Sequence, residues 1–128
     1  MSNEQVLDVA KISVVTGFVE RQSDIENKRF VFAYTITIEN TSTVGFQLLS
    51  RHWVIQDANN KLEEVYGDGV VGEQPNIEPG ESFTYTSGAV LETEMGTMEG
   101  KYFLVEETGR KLEVTIPKFV LSVPRILH

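Results

Sequence analysis

The sequence predicts an all-β protein, an immunoglobulin-like or fibronectin-III-like β-sandwich of about seven strands. Three observations predict it. Residues 29–40 alternate without a break, with Phe30, Phe32, Tyr34, Ile36 and Ile38 on one side and Val31, Ala33, Thr35 and Thr37 on the other. Turn chemistry such as Asn59-Asn60, Pro79-Gly80 and Gly109 separates the apolar runs at intervals of roughly a dozen residues. No segment carries a 3.6-residue apolar period long enough for a helix.

Taken in order, a first strand is expected around Ile12, Val14, Thr16 and Phe18, which alternate with Ser13, Val15, Gly17 and Val19. Residues 29–40 are the central strand, because their large side chains need a core to cover them. The smaller opposite face suits an antiparallel sheet with one wet side. A third strand is expected over 46–56, with Leu49, Arg51, Trp53 and Ile55 facing one way and Leu48, Ser50, His52 and Val54 the other. Asp57-Ala58-Asn59-Asn60 reads as a turn, since Asn and Asp bond their own backbone and tolerate left-handed geometry. A short strand over 62–66 then leads into a glycine-rich loop. Pro79 presets φ and Gly80 accepts positive φ, so a turn precedes the strand that carries Phe83 and Tyr85. Residues 89–100 have a mixed pattern and three glutamates, and read as a long loop with room for one helical turn. Residues 101–106 and 112–119 form a closing hairpin around Glu107-Thr108-Gly109-Arg110, with Leu112, Val114 and Ile116 facing in. Residues 1–128 are expected to form one domain.

Composition removes several classes of function. Lys and Arg number 11 against 19 Asp and Glu, a formal charge of −8. A field of that sign repels a phosphate backbone and argues against general nucleic-acid binding. With no cysteine, disulfides, thiolate nucleophiles and Cys-based zinc sites are excluded. His52 and His128 are the only histidines, too few for a structural zinc site, so no metal and no cofactor are expected. Glu92, Glu94 and Glu99 lie near one another in sequence but read as a solvated acidic face. The start, Met1-Ser2-Asn3-Glu4-Gln5, lacks the basic stretch and apolar core of a signal peptide, and no apolar run is long enough to span a membrane. A cytoplasmic protein without membrane insertion is the expectation.

Gly67-Asp68-Gly69-Val70-Val71-Gly72 matches Gly-x-Gly-x-x-Gly. Dinucleotide binding needs a strand before this motif and a helix after it, whose N-terminus receives the pyrophosphate. Here Glu73-Gln74-Pro75-Asn76 follows, and no βαβ unit surrounds it, so a Rossmann site is excluded. Two readings remain. The glycines serve tight turns or a bulge, or they point backbone N–H groups into one concavity that binds an anion. In the second reading Gly67, Asp68, Gly69 and Gly72 form the loop and Arg51 reaches its pyrophosphate or nucleotide ligand. The carboxylates of Glu63, Glu64, Asp68 and Glu73 oppose an anion there.

In Arg51-His52-Trp53, Trp53 reads as the core tryptophan of the sandwich. Arg51 would stack on its ring or pair with a carboxylate. No Ser or Thr sits in a nucleophile-elbow setting, and spacing indicates no acid to orient His52. A non-enzymatic protein is therefore expected, with metal-assisted phosphate hydrolysis through the glutamates as the enzymatic alternative.

A set of strings running through the chain resembles the ApaG family. They include Phe32-Ala33-Tyr34-Thr35-Ile36-Thr37-Ile38-x-Asn40, Gln47-Leu48-Leu49, Arg51-x-Trp53, Gly67-x-Gly69-Val70-Val71-Gly72 and Gln74-Pro75. Further along come Pro79-Gly80-Glu81, Tyr85-Thr86-Ser87-Gly88, Leu91-Glu92-Thr93, Gly96-Thr97-Met98-x-Gly100, Ile116-Pro117-x-Phe119 and Val123-Pro124. The resemblance implies a fibronectin-III-like sandwich in a small bacterial protein linked to cobalt resistance and magnesium efflux. Eukaryotic relatives carry the domain inside interaction proteins, which implies protein–protein binding, with a homodimer through an edge strand as one form of it. Phosphate or pyrophosphate binding at the glycine loop is also entertained for the family, and no catalytic residues come with it. Two positions depart from the pattern: Glu94 stands where many members have proline, and Tyr66 where some have a basic residue.

Overall fold

The computed structural model describes residues 9–124. In chain order its strands are β1 (Ala10–Phe18), β2 (Phe30–Asn40), β3 (Phe46–Asp57), β4 (Leu62–Asp68), β5 (Asn76–Ile77), β6 (Ser82–Leu91), β7 (Met95–Glu106) and β8 (Lys111–Ser122). Among the described residues the only helical geometry is two 3-10 turns, Glu20–Gln22 and Ile25–Asn27, in the β1–β2 connection. One sheet has the order β1-β2-β6 and the other β4-β3-β7-β8, with β5 also paired to β3. Every pairing is antiparallel. The two sheets stack into the expected sandwich, with one strand more than the sequence suggests because β5 is a two-residue pairing.

The periodicity of β2 decides where the core lies. Phe32, Ile36 and Ile38 are at most 1% exposed, and Phe30 and Tyr34 are buried beside them. Trp53 enters from the opposite sheet, edge-on to Tyr34 at 5.5 Å and to Phe119 at 5.8 Å between ring centroids. Each such side chain taken fully out of water contributes roughly 2–3 kcal/mol, which is why these positions tolerate little polarity. Asn40 is fully buried at the end of β2. Its Nδ2 donates to the carbonyls of Val44 (2.9 Å) and Ile77 (2.8 Å), and its Oδ1 accepts from Ser42 N (2.9 Å) and Ser42 Oγ (2.7 Å). A single amide side chain thus ties the β2–β3 turn to β5.

Two expectations need correction. Residues 89–100 are not a long loop: β6 continues to Leu91, β7 begins at Met95, and only a tight turn separates them. The mixed apolar pattern misleads because Gly96 and Gly100 occupy strand positions where no side chain fits. A Cβ on Gly100 would collide with the His52 carbonyl, and one on Gly96 would lie 2.6 Å from the Gln56 carbonyl. The second correction concerns β3. Leu48 pairs with Leu104 and Ser50 with Phe103, so Leu49 is an extra residue in a bulge. The bulge reverses the side-chain phase, which is why Phe46 and Leu48 are buried before it and Trp53 after it. Strict alternation places Leu48 with His52 on the outer face; the structure buries Leu48 completely. A second bulge sets Pro117 and Lys118 opposite Glu99, a position where the missing N–H of proline costs no ladder bond.

Candidate functional site

The bulge at Leu49 leaves Arg51 on the core-facing side of β3, directly across from Gly67 of β4. Gly67 has no side chain to keep the guanidinium away; a Cβ there would lie 2.5 Å from Arg51 Nη1. Nη1 donates to the carbonyls of Gly69 at 2.8 Å and Asp68 at 3.2 Å. Arg51 therefore neither stacks on Trp53 nor pairs with a carboxylate as its principal contact. It binds the backbone of the glycine loop.

Within the loop the N–H groups of Gly69, Val70 and Glu73 are engaged by the protein itself. Gly69 N donates to the carbonyl of the bulged Leu49 at 2.7 Å. Val70 and Glu73 exchange both backbone bonds, Val70 N to Glu73 O at 2.8 Å and Glu73 N to Val70 O at 2.9 Å. Between them Val71 (φ 49°) and Gly72 (φ 79°) both have positive φ, the requirement of a type I′ hairpin turn. Gly69 also has positive φ, at 63°, and a Cβ on it would strike the Glu73 carbonyl. Gln74 Nε2 adds a bond to Leu49 O at 2.9 Å. Of the residues singled out in the sequence, Arg51, Gly67, Asp68 and Gly69 meet at one place, and Gly72 sits in the turn at the hairpin tip.

Beyond Arg51 lies a buried phenol pair. Tyr85 of β6 and Tyr102 of β7 share a hydrogen bond between their hydroxyls. Burial pushes both pKa values above the ordinary tyrosine range. The mutual hydrogen bond pulls against this at Tyr85, and the nearby Tyr85 raises Tyr102 further. The positive charge of Arg51 lowers both to a smaller degree.

Sequence spacing gave no acid to orient His52, and the structure supplies one. His52 pairs across the hairpin with Tyr66 and Val54 with Glu64, so these four side chains share the outer face. Nε2 of His52 lies 3.0 Å from Glu64 Oε1, and the imidazole stacks on Tyr66 at 4.1 Å with the rings 3° from parallel. The Asp57-to-Asn60 turn could have revealed this, because folding the chain back at that turn sets Glu64 diagonally opposite His52. A groove of about 240 Å³ runs beside His52, Val54, Lys101 and Thr115. Elsewhere, Glu92 is paired with Lys61 at 3.0 Å. Glu94 lies in the β6–β7 turn and Glu99 well along β7. Among the described residues no three His, Cys, Asp or Glu side chains are placed to hold a metal ion together. Among them also, no helix is long and apolar enough to cross a membrane.

A profile of the ApaG domain matches residues 20–106, which contain β2 through β7 with the glycine loop. The chain belongs to the ApaG family. It is 57% identical over 117 residues to Protein ApaG of Thiobacillus denitrificans, covering 91% of this chain and 92% of that one. It is 58% identical over 118 residues to Protein ApaG of Dechloromonas aromatica, covering 92% and 93%. Among solved structures, the putative ApaA protein of Bordetella pertussis superposes with a TM-score of 0.85 at 44% identity, covering 94% of this chain and 99% of that one. A remoter likeness, the C-terminal domain of wzt (TM-score 0.55, 10% identity, 94% and 77% covered), shares the fold alone. Within the ApaG domain the Arg51-x-Trp53 string thus serves two ends of one strand segment: Trp53 fills the core and Arg51 fastens the glycine loop.

Proposed function

We propose that this ApaG-family chain is a non-enzymatic binding module, acting through protein–protein contacts in a cytoplasmic process that touches cobalt and magnesium homeostasis. The observation that carries this reading is the engagement of the candidate loop. Arg51 bonds the carbonyls of Asp68 and Gly69, and the N–H groups of Gly69, Val70 and Glu73 are bonded to Leu49, Glu73 and Val70. These groups hold a hairpin against β3, which leaves sheet surface as what the molecule presents to others. Deleting the gene in its host is expected to lower cobalt tolerance, and complementation with the intact gene to restore it. Cross-linking in the same cells is expected to yield a saturable protein partner. Unchanged cobalt tolerance together with no saturable partner would remove the proposal.

A second reading has one observation in its favour: the fold brings Arg51 to the glycine loop, and among the described residues its Nη2 and Nε make no hydrogen bond. Pyrophosphate or a nucleotide would then bind at Gly67, Asp68, Gly69 and Gly72 beside the guanidinium. An amide NMR titration with pyrophosphate at fixed ionic strength, with and without Mg²⁺, separates the two. Saturable shifts confined to residues 67–72 and the Arg51 surroundings favour the ligand site. Gly69→Val is a poor control here, because it would unfold the turn through both its φ and the Glu73 carbonyl. Gly72→Ala would meet open space, yet it forces a side chain onto a φ of 79° and is strained for that reason alone.

A further inference from the structure

Sheet edges differ sharply in how they are protected. At β8, Lys111, Glu113 and Lys118 and the Pro117 bulge discourage pairing, and β4 carries Glu63 and Glu64. β1 lies close to β8 across the side of the sandwich. β6 has none of these devices: Ser82-Phe83-Thr84-Tyr85-Thr86-Ser87-Gly88-Ala89-Val90-Leu91 contains no charge, no proline and no bulge, and pairs with β2 in unbroken register.

The backbone register shows which groups of β6 point away from the molecule. Asn40 N donates to Glu81 O, so Glu81 and every second residue after it bond β2. The bond from Val19 N to Val31 O confirms the phase on the other side of β2, where the odd-numbered residues turn toward β1. Ser82, Thr84, Thr86, Gly88 and Val90 therefore turn their N–H and C=O groups outward, and all are exposed. Among the described residues no turn, loop or side chain bonds them. Their side chains lie on the outer sheet face, where Thr84 and Thr86 bond Thr37 and Thr35 through their hydroxyls at 2.9 and 2.8 Å. The result is a smooth, uncharged edge on a chain of net charge −8.

Acids bracket this edge at both ends. Past Leu91 lies a shallow pocket of about 50 Å³ where Asp57, Glu63 and Glu92 outnumber Lys61 and Ile55 supplies an apolar floor. Before Ser82 stand Glu81, which accepts from Glu78 N at 3.0 Å, and the facing carboxyls of Glu78 and Glu107. A second copy of this chain is a poor occupant. Antiparallel pairing of two β6 strands would set the Glu81 end of one against the Glu92 end of the other, like charge on like charge. An extended segment with cationic ends and an uncharged, β-branched centre complements both the backbone row and the acids.

We propose that β6 is a docking edge to which a partner protein adds an extended strand with basic residues at its ends. This rests on the binding-module reading and names the surface and the chemistry of its partner. The test uses the ¹⁵N-labelled full chain and a synthetic decapeptide of alternating valine and threonine with lysines at both ends. Comparison peptides replace the lysines by glutamates or N-methylate the alternate amides that face β6. With the lysine peptide, saturable shifts and slowed amide exchange are expected at Ser82, Thr84, Thr86, Gly88 and Val90. The slowing should be about tenfold once nine in ten molecules carry peptide. Neither comparison peptide should produce it, and Thr86→Lys should weaken it while Thr86→Val, which loses the same hydroxyl bond to Thr35, should not.

Absence of saturable change with the lysine peptide would overturn the proposal, as would equal change with the glutamate peptide. Protection that rises with protein concentration in the absence of peptide, alongside a dimer in sedimentation, would assign the edge to a second copy instead. If partner cross-links in cells map to other faces while β6 stays unaffected by the peptide, the edge is overturned and the binding-module reading stands.

Discussion

Tyr85 and Tyr102 join their hydroxyls inside the sandwich, one from each sheet, in a bond that bolts β6 to β7 across the core. Tyr102 is fully buried and Tyr85 nearly so. Removing one hydroxyl leaves the other without its partner, so Tyr85→Phe or Tyr102→Phe should each cost about 1–3 kcal/mol. Replacing both removes the polar pair together, and the double variant should be closer to the parent than the sum of the singles. A double-mutant cycle by urea denaturation measures the difference.

The same pair sets an alkaline limit. Both folded pKa values lie above the usual tyrosine value of about 10, so the neutral phenols are favoured in the folded state. Their contribution is complete below about pH 10 and is lost as pH rises, because the unfolded chain ionises first. Unfolding free energy should fall between pH 9 and pH 11, and more steeply in the parent than in the double Phe variant. Equal slopes would remove these tyrosines from the alkaline transition.

Asn40 holds four hydrogen bonds from a fully buried position. Asn40→Ala strands the carbonyls of Val44 and Ile77 and should destabilise the protein by about 2–3 kcal/mol. Chemical denaturation, with the m-value compared to the parent, checks it. A loss below the effect of an ordinary surface substitution would show that water replaces the amide.

Val71 is a β-branched, exposed residue held at a φ of 49° because a type I′ turn demands it. Asn-Gly is the favoured pair for this turn. Val71→Asn should therefore stabilise the chain by about 0.5–1 kcal/mol, read as a higher Tm. A lower Tm would show that relief of the backbone strain at this position is not worth the exposed valine's own contribution.

Glu78 has its pKa raised, chiefly by the charge of Glu107, with burial and Glu81 adding to it. A raised carboxyl pKa means that the stabilising, protonated form is present below the unfolded value and is lost as pH rises. At neutral pH the two carboxylates repel, so Glu78→Gln should raise Tm at pH 7. The gain should vanish at pH 4, where the parent carboxyl is already protonated. A gain equal at both pH values would point to a packing effect.

The sandwich was legible in the sequence because period-two alternation and turn residues are local signals, and the central strand obeys them from Phe32 to Ile38. So were the closing hairpin and Trp53 as a core residue, where side-chain size and position in the pattern agree. The alternation failed where backbone approaches were set by distant partners. Gly96 and Gly100 looked like loop glycines, yet they are strand residues whose missing side chains admit β3 carbonyls. Strict alternation puts Leu48 on the wrong face, since a bulge is decided by the register with β7 and leaves no local mark.

The candidate site divides the same way. Sequence named Arg51 and the glycines as chemically notable, and family strings carried the ApaG identity. Only the tertiary structure brought Arg51 onto Gly67, set Glu64 beside His52, and left β6 as the uncharged edge between acidic ends. Composition and periodicity report what each residue is and which way it alternates. Contacts between residues far apart in the chain depend on strand order and register, and those are fixed by how two whole sheets close over one core.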